Sequence, residues 1–277
     1  MQQKNKLKIF FLLSLTFYTI LSFGQSQAEN WQSYIASYDE NKPGSTTVRM
    51  DIANQTPIPQ YDYVLVTGLT YKSTREDGFP EGKTFEVLHK VGDELVELLN
   101  GNNESILVGS FMYNFQRLEY FYLKSNKGIE NKVKEFYDSN YPDYKNYINL
   151  KEDKEWTYYK EFLYPSDEIL EYLGDQSVIK NLQEAGDNLS KARRVDHWAY
   201  FKNESEMESF KKELTKKGFQ IQSSSQIEHK STPFEIQFWR VDKVDINSIY
   251  PITSVLRKKA QEYNGDYDGW ETSVEKE

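Results

Sequence analysis

Histidine, the side chain best suited to acid–base chemistry near neutral pH, is scarce in this sequence. The chain contains three His residues and no Cys, which excludes cysteine nucleophiles, thiolate zinc sites and disulfide frameworks. His197 directly follows Asp196, but neighbouring residues of a strand point to opposite faces, so these two cannot pair as acid and base. We therefore expect His197 to be a hydrogen-bonded core residue. His89, on a predicted helix, and His229, in a predicted hairpin loop, have no ligand-spaced neighbours.

A second pattern could bind a cation. The spacing of positions 1, 3, 5, 6 and 12 of a calcium-binding EF-hand loop is occupied by Asn264, Asp266, Asp268, Gly269 and Glu275. Asn264 at the first position and Glu271 at a position that is usually apolar weaken the match. We predict no metal and no cofactor, and a calcium-binding module remains an alternative.

Enzyme signatures are absent from the sequence. It contains no Gly-x-Ser-x-Gly motif, no Gly-rich phosphate loop and no His-Glu-x-x-His motif. The formal net charge of −9 argues against general nucleic-acid binding, which needs clustered Lys and Arg. These observations predict a protein that is not an enzyme. A hydrolase in the N-terminal domain remains an alternative, and a pocket lined by the carboxylates around residues 77–81 would support it.

The N-terminus has the organisation of a secretory signal peptide. Lys4, Lys6 and Lys8 precede an apolar stretch at residues 9–23, which is shorter than the ~20 residues of a membrane-spanning helix. The small-x-small site that ends at Gly24 predicts a signal peptide at residues 1–24. We expect a soluble, exported protein, periplasmic or secreted, with no membrane span after signal removal. An uncleaved N-terminal anchor is the alternative.

Periodicity and turn residues predict an N-terminal domain at residues 31–151. It is expected to be an antiparallel sheet with helices, and its element order from residue 63 onward also fits a βαββαβ unit. The predicted strands are 31–37, 45–52, 63–71, 106–113, 118–123 and 147–150, and the predicted helices are 84–99 and 129–137.

An aromatic and helical connector is predicted at residues 152–192, with one helix opening at Ser166 and a second at 175–185. The C-terminal domain at residues 193–277 repeats the strand–helix–strand–strand–helix–strand order, which is ferredoxin-like. Its predicted strands are 194–201, 219–223, 234–241 and 265–272. Its second helix, at 248–263, carries Pro251 in the first turn. The predicted fold class is therefore α+β with two domains.

Particular motifs in both domains are similar to known families. Residues 194–201 (RVDHWAYF), Gly218-Phe219 and residues 265–271 (GDYDGWE) resemble the regulator of ribonuclease activity B family, also called ribonuclease E inhibitor B. This resemblance implies a ferredoxin-like fold that binds and inhibits ribonuclease E without catalysis.

The N-terminal domain resembles the domain of unknown function 695 family in Trp31-x-x-Tyr34, Pro43-Gly44-Ser45, Gly78-Phe79-Pro80 and the helix beginning at Thr84. That family implies no established activity.

Alternation along the C-terminal strands predicts an aromatic surface on the side of the sheet that the helices leave uncovered. The residues predicted to form a binding surface are Trp198, Tyr200, Trp239, Asp266, Tyr267, Asp268 and Trp270. Burial under the other domain or the connector is one alternative. RNA stacking is another, although residues 193–277 carry 14 Lys and Arg against 15 Asp and Glu.

Together these observations predict an exported, non-enzymatic regulatory protein that acts by binding a protein partner. Ribonuclease E works in the cytoplasm, so export would exclude it as the target. If the N-terminus is not a signal peptide, the alternative is a cytoplasmic inhibitor of ribonuclease E.

Overall fold

Two antiparallel β-sheets organise the described part of the chain, which in this computed structural model comprises residues 29–39, 42–101, 104–228 and 231–276. The predicted α+β class is confirmed. The predicted signal peptide at residues 1–24 and His229 both lie outside the described residues.

The first sheet contains six strands. They are β1 (Trp31–Ser37), β2 (Pro43–Arg49), β3 (Tyr63–Thr70), β4 (Ser105–Tyr113), β5 (Gln116–Leu123) and β6 (Lys145–Glu152). In the sheet they lie in the order β1-β2-β4-β5-β3-β6. Residues 64–69 of β3 are all buried, as expected for a continuous apolar run with neighbouring strands on both sides and cover on both faces.

Helices α1 (Gly82–Leu99) and α2 (Ile129–Asn140) cover one face of this sheet. Leu88, Val91 and Leu95 of α1 share a core with Leu65 and Phe121 of the strands. From β3 to β6 the elements follow the βαββαβ order, and their strands lie as β6-β3-β5-β4. The β1–β2 hairpin extends the sheet beside β4. The βαββαβ unit considered from the sequence is therefore present.

An aromatic segment that follows β6 covers the second face. A π-helical turn at Tyr158–Leu163 packs there, and the Trp156 ring stacks on Tyr122 with ring centres 3.8 Å apart. The Trp156 indole N–H donates to the Tyr61 carbonyl oxygen at 2.9 Å. The Tyr122 hydroxyl donates to the Asp153 carboxylate at 2.5 Å. The first part of the predicted connector therefore contributes to the N-terminal core.

A single helix, α3 (Asp167–Glu184), replaces the two helices predicted in the connector. Ser166 begins it by accepting a hydrogen bond from the Ile169 N–H. Gly174 lies inside the helix, and the packing of α3 on both cores outweighs the low helix propensity of Gly. Ile169 packs against the N-terminal core, while Ile179 is buried in a cluster with C-terminal residues. This helix therefore connects the two cores.

The second sheet has the predicted ferredoxin-like arrangement. Its elements are β7 (Arg193–Phe201), α4 (Glu204–Lys216), β8 (Gln220–Gln226), β9 (Phe234–Asp242), α5 (Ile246–Glu262) and β10 (Gly265–Thr272). The strands lie in the order β10-β7-β9-β8, and all pairs are antiparallel. This order matches β6-β3-β5-β4 of the first sheet, so the two units share one topology.

Helix α5 begins two residues earlier than predicted, because Asp245 caps it. The Asp245 carboxylate accepts a hydrogen bond from the Ser248 N–H at 3.2 Å. Pro251 consequently lies beyond the first turn of the helix, which corrects the first-turn position expected from the sequence.

The core of the C-terminal unit gives a first prediction. Phe210 of α4 is fully buried against Phe201 and Phe238. Replacing Phe210 by Ala is expected to lower the free energy of unfolding by about 3–5 kcal/mol, because it leaves a cavity in a packed core. Urea denaturation measures this change. Exposed Lys212, on the same helix, provides the control when replaced by Ala. A loss for Phe210→Ala no larger than that of the control would contradict the packing described.

Candidate interaction surface

Strand alternation gives the second sheet two chemically different faces. In β7, Val195, Ala199 and Phe201 are buried on the side that α4 and α5 cover. Trp198 of β7 and Trp239 of β9 lie on the other side, and both are partly exposed. We call this second side the aromatic face, and define it by Arg194, Asp196, Trp198, Tyr200, Glu235, Gln237 and Trp239.

In the register of β7 and β9, each aromatic side chain of the aromatic face lies opposite a polar side chain of the neighbouring strand. Trp198 lies opposite Gln237, and Trp239 lies opposite Asp196. Tyr200 lies opposite Glu235 in the same register. Each aromatic side chain therefore has a polar cross-strand neighbour, an arrangement in which the face can offer both apolar area and hydrogen bonds to a partner.

Polar contacts hold the aromatic face in place. The Arg194 guanidinium lies 4.7 Å from the centre of the Trp239 ring and donates to Asp196 from Nε at 2.8 Å. The Gln237 amide donates to the same carboxylate at 3.4 Å. Such contacts restrict the rotamers that these side chains can adopt.

Tyr200 is kept as a hydrogen-bond donor by its surroundings. Partial burial, followed by its hydrogen bond to Glu235 and the nearby charge of Asp268, raises the pKa of Tyr200 to about 12. Its hydroxyl is therefore protonated at physiological pH. A tyrosine of this kind presents an apolar ring with a polar end, a combination common at protein interfaces.

The residues predicted in β10 divide between the two faces. Asp266 is exposed and lies opposite Tyr200, and Asp268 is also exposed. A β-bulge between Tyr267 and Gly269 shifts the alternation, and Gly269 has a φ of +148°, which L side chains rarely adopt. Five of the seven predicted residues therefore belong to the exposed side or its edge.

Tyr267 and Trp270 differ from the expectation that they form part of the binding surface. Tyr267 lies opposite the core residue Ala199, and the bulge after it brings Trp270 opposite the buried His197. The Tyr267 hydroxyl lies 2.7 Å from Nδ1 of His197. The Trp270 indole N–H donates to Oδ1 of Asp175 at 2.9 Å, and Trp270 is only 7% exposed. Their role in the structure is to pack and hydrogen-bond in the core.

Asp175 is the centre of a buried polar network that the sequence analysis did not identify. Its carboxylate accepts hydrogen bonds from Trp270, from the Thr253 hydroxyl and from Arg257, the last at 3.0 Å. The Arg257 guanidinium also lies 5.3 Å from the centre of the Tyr267 ring. Asp175 comes from the segment predicted as a connector, so no local pattern related it to α5 or β10.

His197 is a core residue, as its isolation on the apolar side of the strand indicated. It is fully buried, and burial lowers its pKa to about 3. Its Nε2 atom has no hydrogen-bond partner among the described residues. A neutral, enclosed imidazole cannot exchange protons with a substrate at physiological pH, so the geometry gives His197 a structural role.

The carboxylates considered for hydrolysis are engaged on the surface. Asp77 forms an ion pair with Arg75, and its carboxylate also accepts the Phe79 N–H at 3.1 Å. Glu81 accepts a hydrogen bond from the Thr74 hydroxyl. Both carboxylates are therefore already engaged by neighbouring side chains or backbone groups.

The residues considered for calcium are not grouped as a loop of ion ligands. Asp266 and Asp268 belong to the extended strand β10, and the Asn264 amide donates to Glu206 at 2.9 Å. Within the described ranges, no group of three His, Cys, Asp or Glu side chains could hold a metal ion. In the same part of the chain, the helices all lack the length or apolarity needed to cross a bilayer.

Two protein-family models match parts of this chain. Residues 174–272 match the family model described as Regulator of ribonuclease activity B (RraB). The C-terminal region is RraB-like. Residues 29–164 match the Family of unknown function (DUF695). Both resemblances were predicted from the sequence motifs, and both are confirmed for these regions.

Two further comparisons add little. No curated protein matches the chain. The crystal structure of an unknown protein from Galdieria sulphuraria is similar, with 11% sequence identity over 77% of this chain and 99% of that chain, at a TM-score of 0.21. At that TM-score the likeness carries no argument about fold or function.

The RraB match extends beyond the second sheet into helix α3. It begins at residue 174 and therefore includes the second half of α3, with Asp175. Ile179 and Leu182 of that half share a buried cluster with Val195 and Trp270. In this chain, α3 accordingly completes the core of the RraB-like region as well as contacting the DUF695 region.

The buried network gives a second prediction. Replacing Asp175 by Ala is expected to lower the free energy of unfolding by about 3–5 kcal/mol, because the buried Trp270 indole N–H and Thr253 hydroxyl lose their acceptor. Arg257 would keep Glu171 at 4.0 Å as its remaining carboxylate neighbour. Chemical denaturation measures the loss. Asp266→Ala is the matched control, since Asp266 is exposed and should change stability by less than about 0.5 kcal/mol. Equal free energies of unfolding for the two variants would contradict the buried hydrogen-bond network described for Asp175.

His197 gives a prediction about pH. Its pKa is lowered to about 3 in the folded chain, so between that value and the usual ~6.5 the unfolded chain binds more protons. The contribution of His197 to the free energy of unfolding is therefore fully present above the pKa of the unfolded chain. It is lost progressively as the pH falls below that value. Between about pH 7 and about pH 5, the wild type should lose roughly 2 kcal/mol more than His197→Gln.

Urea titrations of both proteins at the two pH values provide the measurement. Gln retains a hydrogen-bond acceptor for Tyr267, so the comparison isolates the titration of the imidazole. Parallel pH dependences of the two proteins would contradict a neutral, buried His197.

Proposed function

We propose that this chain is a non-enzymatic regulatory protein whose RraB-like region binds a protein partner through the aromatic face. The observation that carries the proposal is the set of partly exposed rings of Trp198, Tyr200 and Trp239 on the side of the sheet opposite α4 and α5. Exposed aromatic clusters rimmed by polar groups are typical of protein interaction sites. The regulator family that the region matches supports a binding role in general terms.

The charges around the aromatic face favour a protein partner over a nucleic acid. Asp196, Glu235, Asp266 and Asp268 are acidic, whereas Arg194 is already paired with Asp196. A phosphate backbone would be repelled by this rim, since nucleic-acid binding depends on clustered Lys and Arg. The partner surface that fits the face is apolar at its centre, with basic or hydrogen-bonding groups at its edge.

Export is part of the proposal. The basic residues Lys4, Lys6 and Lys8 and the apolar stretch that follows support a signal peptide cleaved after Gly24. The mature protein is then periplasmic or secreted, and its partner is an envelope or extracellular protein rather than ribonuclease E. The domain limits proposed with this reading are residues 31–151, 152–192 and 193–277.

A double substitution tests the aromatic face. Trp198→Ala combined with Trp239→Ala removes the two largest rings of the surface, and truncated interface tryptophans commonly cost about 2 kcal/mol or more of binding energy. We therefore expect crosslinking in living cells to recover a partner with the wild-type chain. The double variant should recover at least about tenfold less of the same partner.

The matched control is Phe85→Ala, since Phe85 is 47% exposed and lies on α1 of the other unit. Unchanged circular dichroism and urea midpoints establish that the double variant is folded. Equal recovery of the same partner from wild type, control and double variant would contradict the proposal.

The second candidate function is cytoplasmic inhibition of ribonuclease E, which the RraB match favours. Cell fractionation with N-terminal sequencing separates the two candidates. A mature N-terminus at Gln25 in an exported fraction supports the proposed function. An intact Met1 in the cytoplasm, together with inhibition of purified ribonuclease E, would support the alternative.

A further inference from the structure

The strand β1 is an unprotected edge of the first sheet. It pairs only with β2, and among the described residues no other backbone group bonds to residues 32–36. Exposed edges are usually guarded by charged residues, Pro or bulges. The sequence of β1, WQSYIAS, has none of these, and its Ile35 is 67% exposed. The opposite edge, β6, does carry charges, at Lys145, Lys151 and Glu152.

A groove runs between β1 and α3, with a volume of about 700 Å³. Ile35 and Ala36 line one side, and Ile169, Tyr172 and Leu173 of α3 line the other. The rings of Tyr172 and Tyr250 meet edge to face at 5.1 Å, so part of the wall comes from α5. A groove between an edge strand and a helix is the geometry in which many domains bind an added strand.

The charge that lines the groove is negative. Glu168 is the charged side chain that lines it, it is exposed, and its carboxylate accepts a long hydrogen bond from the Tyr250 hydroxyl at 3.5 Å. Asp167 and Glu171 lie beside it on α3. An occupant with a Lys or Arg at this end would be complementary to these carboxylates.

We propose that the β1–α3 groove binds an extended peptide segment of a protein partner as an added strand on β1, with a basic side chain beside Glu168. Backbone hydrogen bonds to β1 supply the affinity, and alternate apolar side chains of the segment contact Ile169 and Leu173 of α3. The site is formed by the DUF695 region, α3 and Tyr250 of α5. Because α5 covers the opposite side of the second sheet, the site is separate from the aromatic face and does not depend on the function proposed for that face.

A second copy of this chain fits the groove less well. A symmetric pair of β1 strands presents the same groups from both sides. It would bring two copies of Glu168 and its acidic neighbours toward one interface, and neither β1 nor the residues that line the groove include a basic group. The charge of the groove therefore favours a different, basic segment.

Two synthetic peptides test the proposal, Ac-Lys-Val-Thr-Val-Thr-NH2 and Ac-Thr-Val-Thr-Val-Lys-NH2, which place the Lys at either end of an alternating strand. We expect at least one of them to bind the full chain and to slow amide exchange at residues 32–36. The same peptide with Glu in place of Lys should bind about tenfold more weakly, because the charge complementarity is reversed.

Variants of exposed residues locate the binding. Ile35→Lys should weaken peptide binding about tenfold, since a charged side chain disfavours pairing at an edge. Glu168→Lys should weaken it similarly and should restore binding of the Glu peptide. Glu184→Lys is the control, because Glu184 is exposed on the same helix but lies outside the groove.

Three outcomes would overturn the proposal. The first is that neither Lys peptide binds at millimolar concentration. The second is that Ile35→Lys and Glu168→Lys bind like the Glu184→Lys control. The third is a dimer in sedimentation experiments that Ile35→Lys abolishes, since this would assign the β1 edge to a second copy of the chain.

Discussion

The antiparallel register of β7 and β9 is the constraint on which the candidate site depends. Because side chains alternate along each strand, the residues that fill the core on one side determine which residues lie on the other. Val195, Ala199 and Phe201 are buried against the helices, so Trp198 and Tyr200 must lie on the opposite face. A shift by one residue would bury both rings and expose the apolar set.

The RraB-like region is completed by a carboxylate that lies outside the βαββαβ unit. Asp175 of α3 is bonded to Arg257 of α5 and Trp270 of β10. A buried charge is stable only with such partners, so these contacts fix the position of α3 against the second sheet. Because the first half of α3 also packs on the N-terminal core, the same helix relates the two units and forms one wall of the β1–α3 groove.

Local patterns were sufficient for most of the fold and for part of the site. The period-two pattern of β7 and the strand–helix–strand–strand–helix–strand order of residues 193–277 are local, and they correctly indicated a ferredoxin-like unit. Other features depend on contacts between distant residues. Trp270 turns inward because a bulge interrupts the alternation between Tyr267 and Gly269. The partners of Tyr267 and Trp270, which are His197 and Asp175, lie 70 and 95 positions away along the chain.

Hydroxyl-radical footprinting of the chain with its crosslinked partner tests the central claim most directly. It reports the solvent accessibility of individual tryptophans in the complex. If the aromatic face is the interface, Trp198 and Trp239 become protected while the exposed ring of Phe85 keeps its reactivity. Reactivities of Trp198 and Trp239 that are the same in the free chain and in the complex would contradict the account.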